Sequence, residues 1–466
     1  MKAGYSDVLI GLQFGDEGKA KVIDIIGKNY DIIARFNGGS NAGHTIATSQ
    51  GKIALHQIPA GIFYPKTLLY IGSGCVINFE KLVTEIESVD NFGIKLGGRL
   101  FISSQASVIQ PHHLLIDEII GKAIGTTKNG IGPAYADKAL RSTEKGIVNI
   151  RFGDLADNEE FFLKQIKKNL KDTVAEYNLK NIDVPLAMEN FKKAYIKIKP
   201  YIQKDTLFLT RLVESGKKVL FEGAQSFMLD VTKGAVPYVT SSNTAAGAAY
   251  VGGDLSPHFH RKTIGVGKAI MSRVGNGPFV SEFGGEKSEA YCIEGGGNKY
   301  GKEAEQKLSV EELLQSDDLF EIGRALRMLG DEYGASTGRP RRVGMLDLVQ
   351  LRYAVRSNGV DLLWLNKCDL LSDFSRTKLK GIPFVSQYIE EEKSIDYVPS
   401  SNVRQRRIKR EIEYEKNFPE KIRKLRNFKD LPKNLLHLLA RVESDTGCEL
   451  LGIGVGSKRD EYILKK

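Results

Sequence analysis

Four stretches of this 466-residue sequence carry residue types at spacings that could do chemistry. The first is GDEGKAK, 15–21, between the apolar run DVLIGL and the apolar positions Val22, Ile23, Ile25 and Ile26. Gly15 and Gly18 would let backbone amides approach phosphate oxygens, and a helix beginning near Lys19 would point its positive end at them. The usual phosphate loop, GxxxxGK(S/T), would have glycine at 13 and a hydroxyl at 20. This chain has Gln13 and Ala20, with Asp16 inside the loop. A tight strand-to-helix turn with a solvated acid accounts for the same residues equally well. The second stretch is FNGGSNAGHT, 36–45, after the apolar DIIAR. Its His44, paired with Asp16 at neighbouring strand ends, would supply an acid and a base for proton transfer near neutrality.

The third stretch is LWLNKCD, 363–369. An Asn-Lys-x-Asp element after an apolar strand reads guanine, because the Asp369 carboxylate can accept from both the amino group and the ring N–H while the Lys367 stem covers the base. Adenine offers no such donor pair. The fourth is GASTGRPRRVGMLD, 334–347, where Arg339, Arg341 and Arg342 crowd a glycine-bounded loop. Guanidinium forks bind carboxylates or phosphates at two points, which suits an anionic substrate; the alternative is exposed charge.

These loops need a scaffold at one end of a sheet. Continuous apolar runs at 8–11, 32–35, 68–72, 100–103, 219–223, 362–365 and 450–454 predict strands covered on both faces, most of them running into glycine. Helical spacing between them, such as Phe161, Phe162, Ile166 and Leu170, predicts an α/β fold with a mostly parallel central sheet flanked by helices. In such sheets ligands sit beyond the carboxyl ends of the strands. The chain reads as one large domain, 1–466, with peripheral additions at 284–306 and 372–432, the first a long surface excursion.

Composition fits a globular chain, 41% hydrophobic and 27% charged, and excludes disorder for its bulk. Cys75, Cys292, Cys368 and Cys448 lie far apart, without the spacing of a disulfide framework or a thiolate metal site. The N-terminal residues reach charge and glycine too soon for a signal peptide, and no apolar run approaches the ~20 residues of a membrane span, so a cytoplasmic protein is expected. Of the net charge of +10, residues 401–430 hold eleven Lys/Arg against five acids. Without an aromatic stacking platform, that run predicts a solvated helix face rather than a polyanion site, and nucleic acid is not an expected partner.

Taken together, GLQFGDEGKAKVIDII, NGGSNAGHT, AIGTTKNGIGPAYADKALR, VLFEGAQSFMLD, VPYVTSSNTAAG, SRVGNGPF, GASTGRPRRVGMLDLVQLRYAV and NKCD resemble the adenylosuccinate synthetase family, in order and over most of the chain. The resemblance implies a P-loop-like GTP-binding architecture and a carbon–nitrogen ligase. That enzyme would join IMP to L-aspartate through 6-phosphoryl-IMP, with GTP as phosphoryl donor and Mg2+, usually as a homodimer. It would take the first committed step from IMP to AMP. Asp16 would be the proton acceptor and His44 the donor, with Lys19 and Gln225 in the catalytic group. Gly15, Asp16, Glu17, Gly18, Lys19, Ala20 and Lys21 would hold the GTP phosphates and IMP, with Gly43, His44 and Thr45. Asp16 and the Gly43 carbonyl would hold the metal. Asn41, Ala42, Thr127, Gln225 and Thr240 would bind IMP, and Arg141 would reach the IMP of a neighbouring subunit. Ala335, Ser336, Thr337, Gly338, Arg339, Pro340 and Arg341 would form the aspartate loop, binding through Ser336, Thr337 and Arg339. Arg341, Lys367, Cys368, Asp369, Gly454, Val455 and Gly456 would serve GTP.

The sequence departs from the family pattern at Ala20, at Lys128-Asn129, at Pro340 and at the turn GVGSKRDEYIL. The two additions also match poorly. Three other readings compete: a synthetase on the same scaffold acting on a guanine nucleotide acceptor, against which Asp16 argues; a GTP-binding switch, which leaves the arginine loop without a role; and a polyanion-binding protein resting on 401–430 alone.

Overall fold

Apolar strand residues set the architecture, and the computed structural model describes it for residues 3–41, 43–48, 51–120, 128–294, 301–334 and 338–465. The chain packs as two interleaved units. One comprises 1–10, 19–225 and 240–262; the other comprises 11–18, 226–239 and 263–466.

In the first unit the strands follow the order Ile202–Gln203, Leu100–Ser103, Leu68–Ile71, Ile32–Arg35, Val219–Ser226, Ser6–Gly11. Parallel register pairs Ile32 with both Val219 and Leu68, and Leu69 with Leu100. Val8, Leu9, Ile33, Ala34, Leu69 and Leu220 are fully buried, as expected for strands covered on both faces. The helices Phe79–Asn91, Glu159–Glu176 and Val184–Ile198 begin at Asn78, Asn158 and Asp183, whose side chains accept from the first-turn amides. Phe79, Phe152, Phe191 and Tyr195 form an aromatic cluster, with ring centroids 5.1 to 5.9 Å from Phe79.

The second unit repeats the parallel pattern. His260–Lys268, Val360–Asn366 and Glu449–Gly454 run parallel, and Tyr462–Leu464 returns antiparallel. Helix Lys433–Thr446 buries Leu435, Leu438, Leu439 and Val442. The seven apolar runs therefore all lie in strands of a mixed α/β, mostly parallel fold.

The two additions correct the expectation of periphery. Within 372–432 the strand Ile382–Glu390 pairs antiparallel with Lys409–Glu415 and parallel with Leu346–Asp347. It buries Ile382, Phe384, Val385 and Tyr388, and the Tyr388 hydroxyl donates to the buried Asp347 at 2.5 Å. In 284–306 the helices Gly285–Glu294 and Lys302–Glu305 bury Cys292 and Glu305. Glu305 accepts from Arg327 at 2.6 Å and from the Tyr333 hydroxyl at 2.6 Å. A buried arginine needs that carboxylate, so Lys302–Glu305 is a packed element.

The basic run is corrected as well. It comprises a short helix, Asn402–Arg407, and a strand, Lys409–Glu415, in place of one helix face. Its cations meet carboxylates of the same unit: Arg404 with Glu390, Arg406 with Glu289, Lys421 with Asp373, Arg423 with Asp369 and Arg426 with Asp460.

Candidate active site

In the second unit the loop 11–18 is built around Glu17. Its buried carboxylate accepts from the Gly15 amide at 2.8 Å, the Gln13 amide at 3.3 Å and the Ser226 hydroxyl at 2.5 Å. Glu17 thus braces the loop from inside. Gly15, Asp16 and Gly18 have φ of 97°, 56° and 82°. For Gly18 the requirement is double, because a Cβ there would come within 2.8 Å of the Asn366 amide nitrogen. Asn366 in turn donates to the Glu17 carbonyl at 2.5 Å, and this bond ties the Asn-Lys-x-Asp element to the phosphate-type loop.

Asp16 follows Gly15, and its side chain is about one-third exposed at 32%. Its Oδ2 lies 2.8 Å from Arg341 Nη2. Arg341 Nη1 is 3.5 Å from Glu332, and Arg341 Nε is buried without a hydrogen-bond partner among the described residues. Glu332 also meets Lys367 at 3.1 Å and the fully buried Lys268 at 3.4 Å, and it accepts from Ser272 at 2.8 Å. Burial opposes the charge on Glu332, but Lys268, Lys367 and Arg341 outweigh it and hold the carboxyl well below its usual range. Glu332 therefore joins the arginine loop to Lys367 of the Asn-Lys-x-Asp element.

Lys367, at φ 62°, donates to the Gly330 carbonyl at 2.5 Å. Cys368 is fully buried, and burial pushes its thiol well up, which leaves its backbone as the group able to meet a ligand. Asp369 pairs with Arg423 at 2.9 Å. Gly454 approaches the Asn366 side chain so closely that any Cβ would collide with it. The Val455 amide donates to the Glu461 carbonyl at 2.9 Å, closing the C-terminal turn beside the Asn-Lys-x-Asp element; Gly456 lies in that turn, where a Cβ would strike the Glu461 side chain. In the arginine loop Gly338 has φ 61°, Arg339 donates to the Cys292 carbonyl at 3.0 Å and Pro340 bridges to Tyr333. Ala335, Ser336 and Thr337 lie outside the described residues.

In the first unit Lys19 opens the helix Lys19–Ile26 and donates to the Gln225 carbonyl at 2.6 Å. Ala20 is helical and buried, so its methyl needs no left-handed backbone and that departure is neutral. Lys21 follows in the same helix. Gln225 stands at φ 53°, and its Oε1 is buried without a hydrogen-bond partner among the described residues. The glycine-rich loop is held from several sides. The Gly38 amide donates to Tyr135 at 2.9 Å, Asn41 accepts from the Gly39 amide at 3.2 Å, and the Asn129 amide donates to the Ser40 carbonyl at 3.3 Å. Asn129, a departure from the family pattern, therefore supports the loop. Gly43 is exposed, with no heavy atom of the described residues within 4 Å of where a Cβ would stand. His44 and Thr45 begin the strand His44–Thr48, paired with Gly51–Leu55. Thr240 is half-buried, while Ala42 and Thr127 lie outside the described residues.

Arg141 ends the helix Ile131–Leu140 at φ 68° and ψ −58°. Its carbonyl accepts from the Val148 and Asn149 amides, which fixes this unusual backbone, and its exposed guanidinium has no ion pair among the described residues. Within that helix Asp137 accepts from His113 at 2.9 Å and His112 at 3.2 Å, a group whose ligand atoms are close enough for a metal. The tautomer argues otherwise. His113 Nδ1 accepts the Gln110 amide at 3.0 Å, so its Nε2 carries the proton that goes to Asp137. Burial and His112 push His113 down to about 4, while the two histidine hydrogen bonds outweigh burial and hold Asp137 well below its usual range.

Sequence reasoning missed Glu332 and Lys268, single charged residues outside any motif; Asp137 stood inside AIGTTKNGIGPAYADKALR and Arg423 inside the basic run, but their partners do not show in the sequence. Only the adjacency of Glu332 to the arginine loop could have marked it.

A glycine-rich loop, an acid within it, an Asn-Lys-x-Asp element and an arginine loop on an α/β scaffold define a nucleotide-dependent enzyme class. The comparisons narrow it. The family model "Adenylosuccinate synthetase" matches residues 8–463. Adenylosuccinate synthetase 2 of Cupriavidus pinatubonensis is 49% identical over 385 residues, 82% of this chain and 84% of that protein. The enzyme of Bifidobacterium adolescentis is 38% identical over 98% of this chain and 97% of its own. Among solved structures, the fully ligated adenylosuccinate synthetase of Plasmodium falciparum superposes with a TM-score of 0.84 at 33% identity, over 99% of this chain and 100% of that one. Cyanophage S-2L succinoaminodeoxyadenylate synthetase shares the fold, with a TM-score of 0.58 at 16% identity over 100% of this chain and 96% of that one. This chain belongs to the adenylosuccinate synthetase family, the GDP-forming ligases that join IMP to L-aspartate in purine nucleotide biosynthesis.

Proposed function

We propose that Asp16 starts the reaction by taking the proton from N1 of IMP. The 6-oxygen, made anionic, then attacks the γ-phosphorus of GTP; the bond from that phosphorus to the bridging oxygen breaks, and GDP leaves. The aspartate amine attacks C6, the C6–O bond breaks, phosphate departs with the 6-oxygen, and the amine releases one proton. Lys19 and His44 meet the charge on the transferring group, His44 as proton donor. The amides of 15–21, with Thr45, bind the phosphates, and Lys367, Asp369 and the 454–456 turn bind guanine. Asn41, Gln225 and Thr240 orient IMP, with Ala42 and Thr127 beside them. The 335–341 loop binds aspartate through Ser336, Thr337 and Arg339, and Arg341 also serves GTP.

The Asp16 carboxylate and the Gly43 carbonyl are hard oxygen donors that fit Mg2+, and those two residues would hold it. The ion would supply charge neutralisation at the phosphates. The exposed guanidinium of Arg141 suits a role in the IMP site of a second subunit, so the working form is a homodimer. The four cysteines are free and buried, and no helix among the described residues is long and apolar enough to cross a membrane; both accord with a cytoplasmic location.

One observation carries this reading most: an acid at φ 56° in the glycine loop, its carboxylate 2.8 Å from a guanidinium of the arginine loop. The test is Asp16→Asn. Turnover should fall at least about a hundredfold, the low end for lost general-base catalysis, with GTP binding retained. Synthesis within tenfold of wild type in a folded variant would falsify the assigned base.

A further inference from the structure

The segment 421–426 lies across the element proposed to read guanine. Ile422 is fully buried and anchors it. On either side of that anchor, Lys421 donates to Asp373 at 2.7 Å and to Ser372 at 3.3 Å, and Arg423 reaches Asp369. Arg426 closes the strap on Asp460, beside the C-terminal turn, at 3.1 Å. Arg423 Nε donates to Asp369 Oδ2 at 2.9 Å, and Nη2 lies 2.9 Å from the same oxygen as an ion-pair contact. Oδ1 is buried with no hydrogen-bond partner among the described residues. The Asp369 side chain is only 5% exposed, whereas that of Arg423 is 55% exposed.

A carboxylate oxygen has about two acceptor directions, and guanine needs both oxygens, one for the ring N–H and one for the amino group. The Nε–H bond and the adjacent guanidinium nitrogen cover Oδ2, and the contact leaves Oδ1 unsatisfied. The base would satisfy both oxygens, so exchanging Arg423 for guanine is favourable for Asp369, and the half-exposed arginine can turn into water. We propose that Arg423 is an internal competitor for the nucleotide base: it occupies Asp369 until GTP displaces it, so the 372–432 addition sets nucleotide affinity. The inference rests on the assignment of Asp369 to guanine.

Displacing one side chain lowers the affinity of every nucleotide that uses Asp369 by the same factor, so competition changes affinity without changing selectivity. The experiment is equilibrium binding of GTP and of inosine triphosphate, which keeps the ring N–H but lacks the amino group. Each is titrated into wild type, Arg423→Ala and Arg423→Lys without IMP or aspartate, with melting profiles confirming folded protein. Removing a half-exposed pair should tighten GTP about two- to fivefold in Arg423→Ala, and inosine triphosphate by the same factor. Arg423→Lys should fall between. GTP binding that is unchanged or weaker in Arg423→Ala, or a gain confined to one nucleotide, overturns the proposal. Asp369→Asn separates the two levels, since it should move preference from GTP toward xanthosine triphosphate. If it does not, the assignment of Asp369 fails; if it does and Arg423→Ala binds GTP no tighter, the competitor role alone fails.

Discussion

Asp16 has to remain reachable while standing in a left-handed backbone and facing a guanidinium. The Asp16→Asn variant isolates one of these conditions. Asparagine tolerates φ 56° at least as well as aspartate, and its amide oxygen can still accept from Arg341, so the melting profile should change little while turnover collapses. At this scale the sequence was informative where residues cluster: the glycines, the Asn-Lys-x-Asp element and the arginine loop announce themselves by spacing. Asn366 shows what spacing leaves out. Its place in the motif suggests base recognition, whereas its side chain donates to the Glu17 carbonyl, a role set by two chain segments about 350 positions apart meeting in space. Glu332 and Arg423 were invisible for the same reason, since a lone charge acquires its partner only in the fold.

Among the elements, strands covered on both faces were legible because a short unbroken apolar run bounded by glycine must be buried on both sides to escape water. Lys409–Glu415 was not. Its residues KREIEYE form a strand whose long polar side chains face solvent or polar neighbours, Glu413 toward Arg441 and Arg410 toward the Val280 and Glu282 carbonyls, so charge conceals the alternation and imitates a helix. The helix Ile131–Leu140 supplies the prediction at this scale. Its Asp137 receives the His113 proton, and burial lowers the His113 titration from 6.5 to about 4. Between those values the unfolded chain binds more protons than the folded one. Stability fully present above pH 6.5 is therefore lost progressively as pH falls toward 4, by about 3 kcal/mol from this group. Urea unfolding across that window should show a shallower loss for His113→Gln than for wild type. Parallel pH profiles for the two proteins would contradict the buried neutral histidine.

For the whole molecule, the role proposed for Arg141 predicts sites shared between subunits. Mixing Arg141→Leu protein with Asp16→Asn protein should form hybrids in which one site carries both lesions and the other neither, so activity should return to roughly a quarter of wild type if subunits exchange freely. A mixture as inactive as the Asp16→Asn parent, with heterodimers present by mass measurement, would remove Arg141 from the neighbouring site. The chemistry turns on the order of bonds: the 6-oxygen of IMP is phosphorylated before the amine displaces it. That oxygen must then leave attached to phosphorus. The direct measurement uses IMP labelled with oxygen-18 at the 6-position, with GTP, Mg2+ and aspartate, followed by mass analysis of the products. The account predicts the label in inorganic phosphate, one atom for each adenylosuccinate formed; label released into water, with phosphate unlabelled, would contradict it.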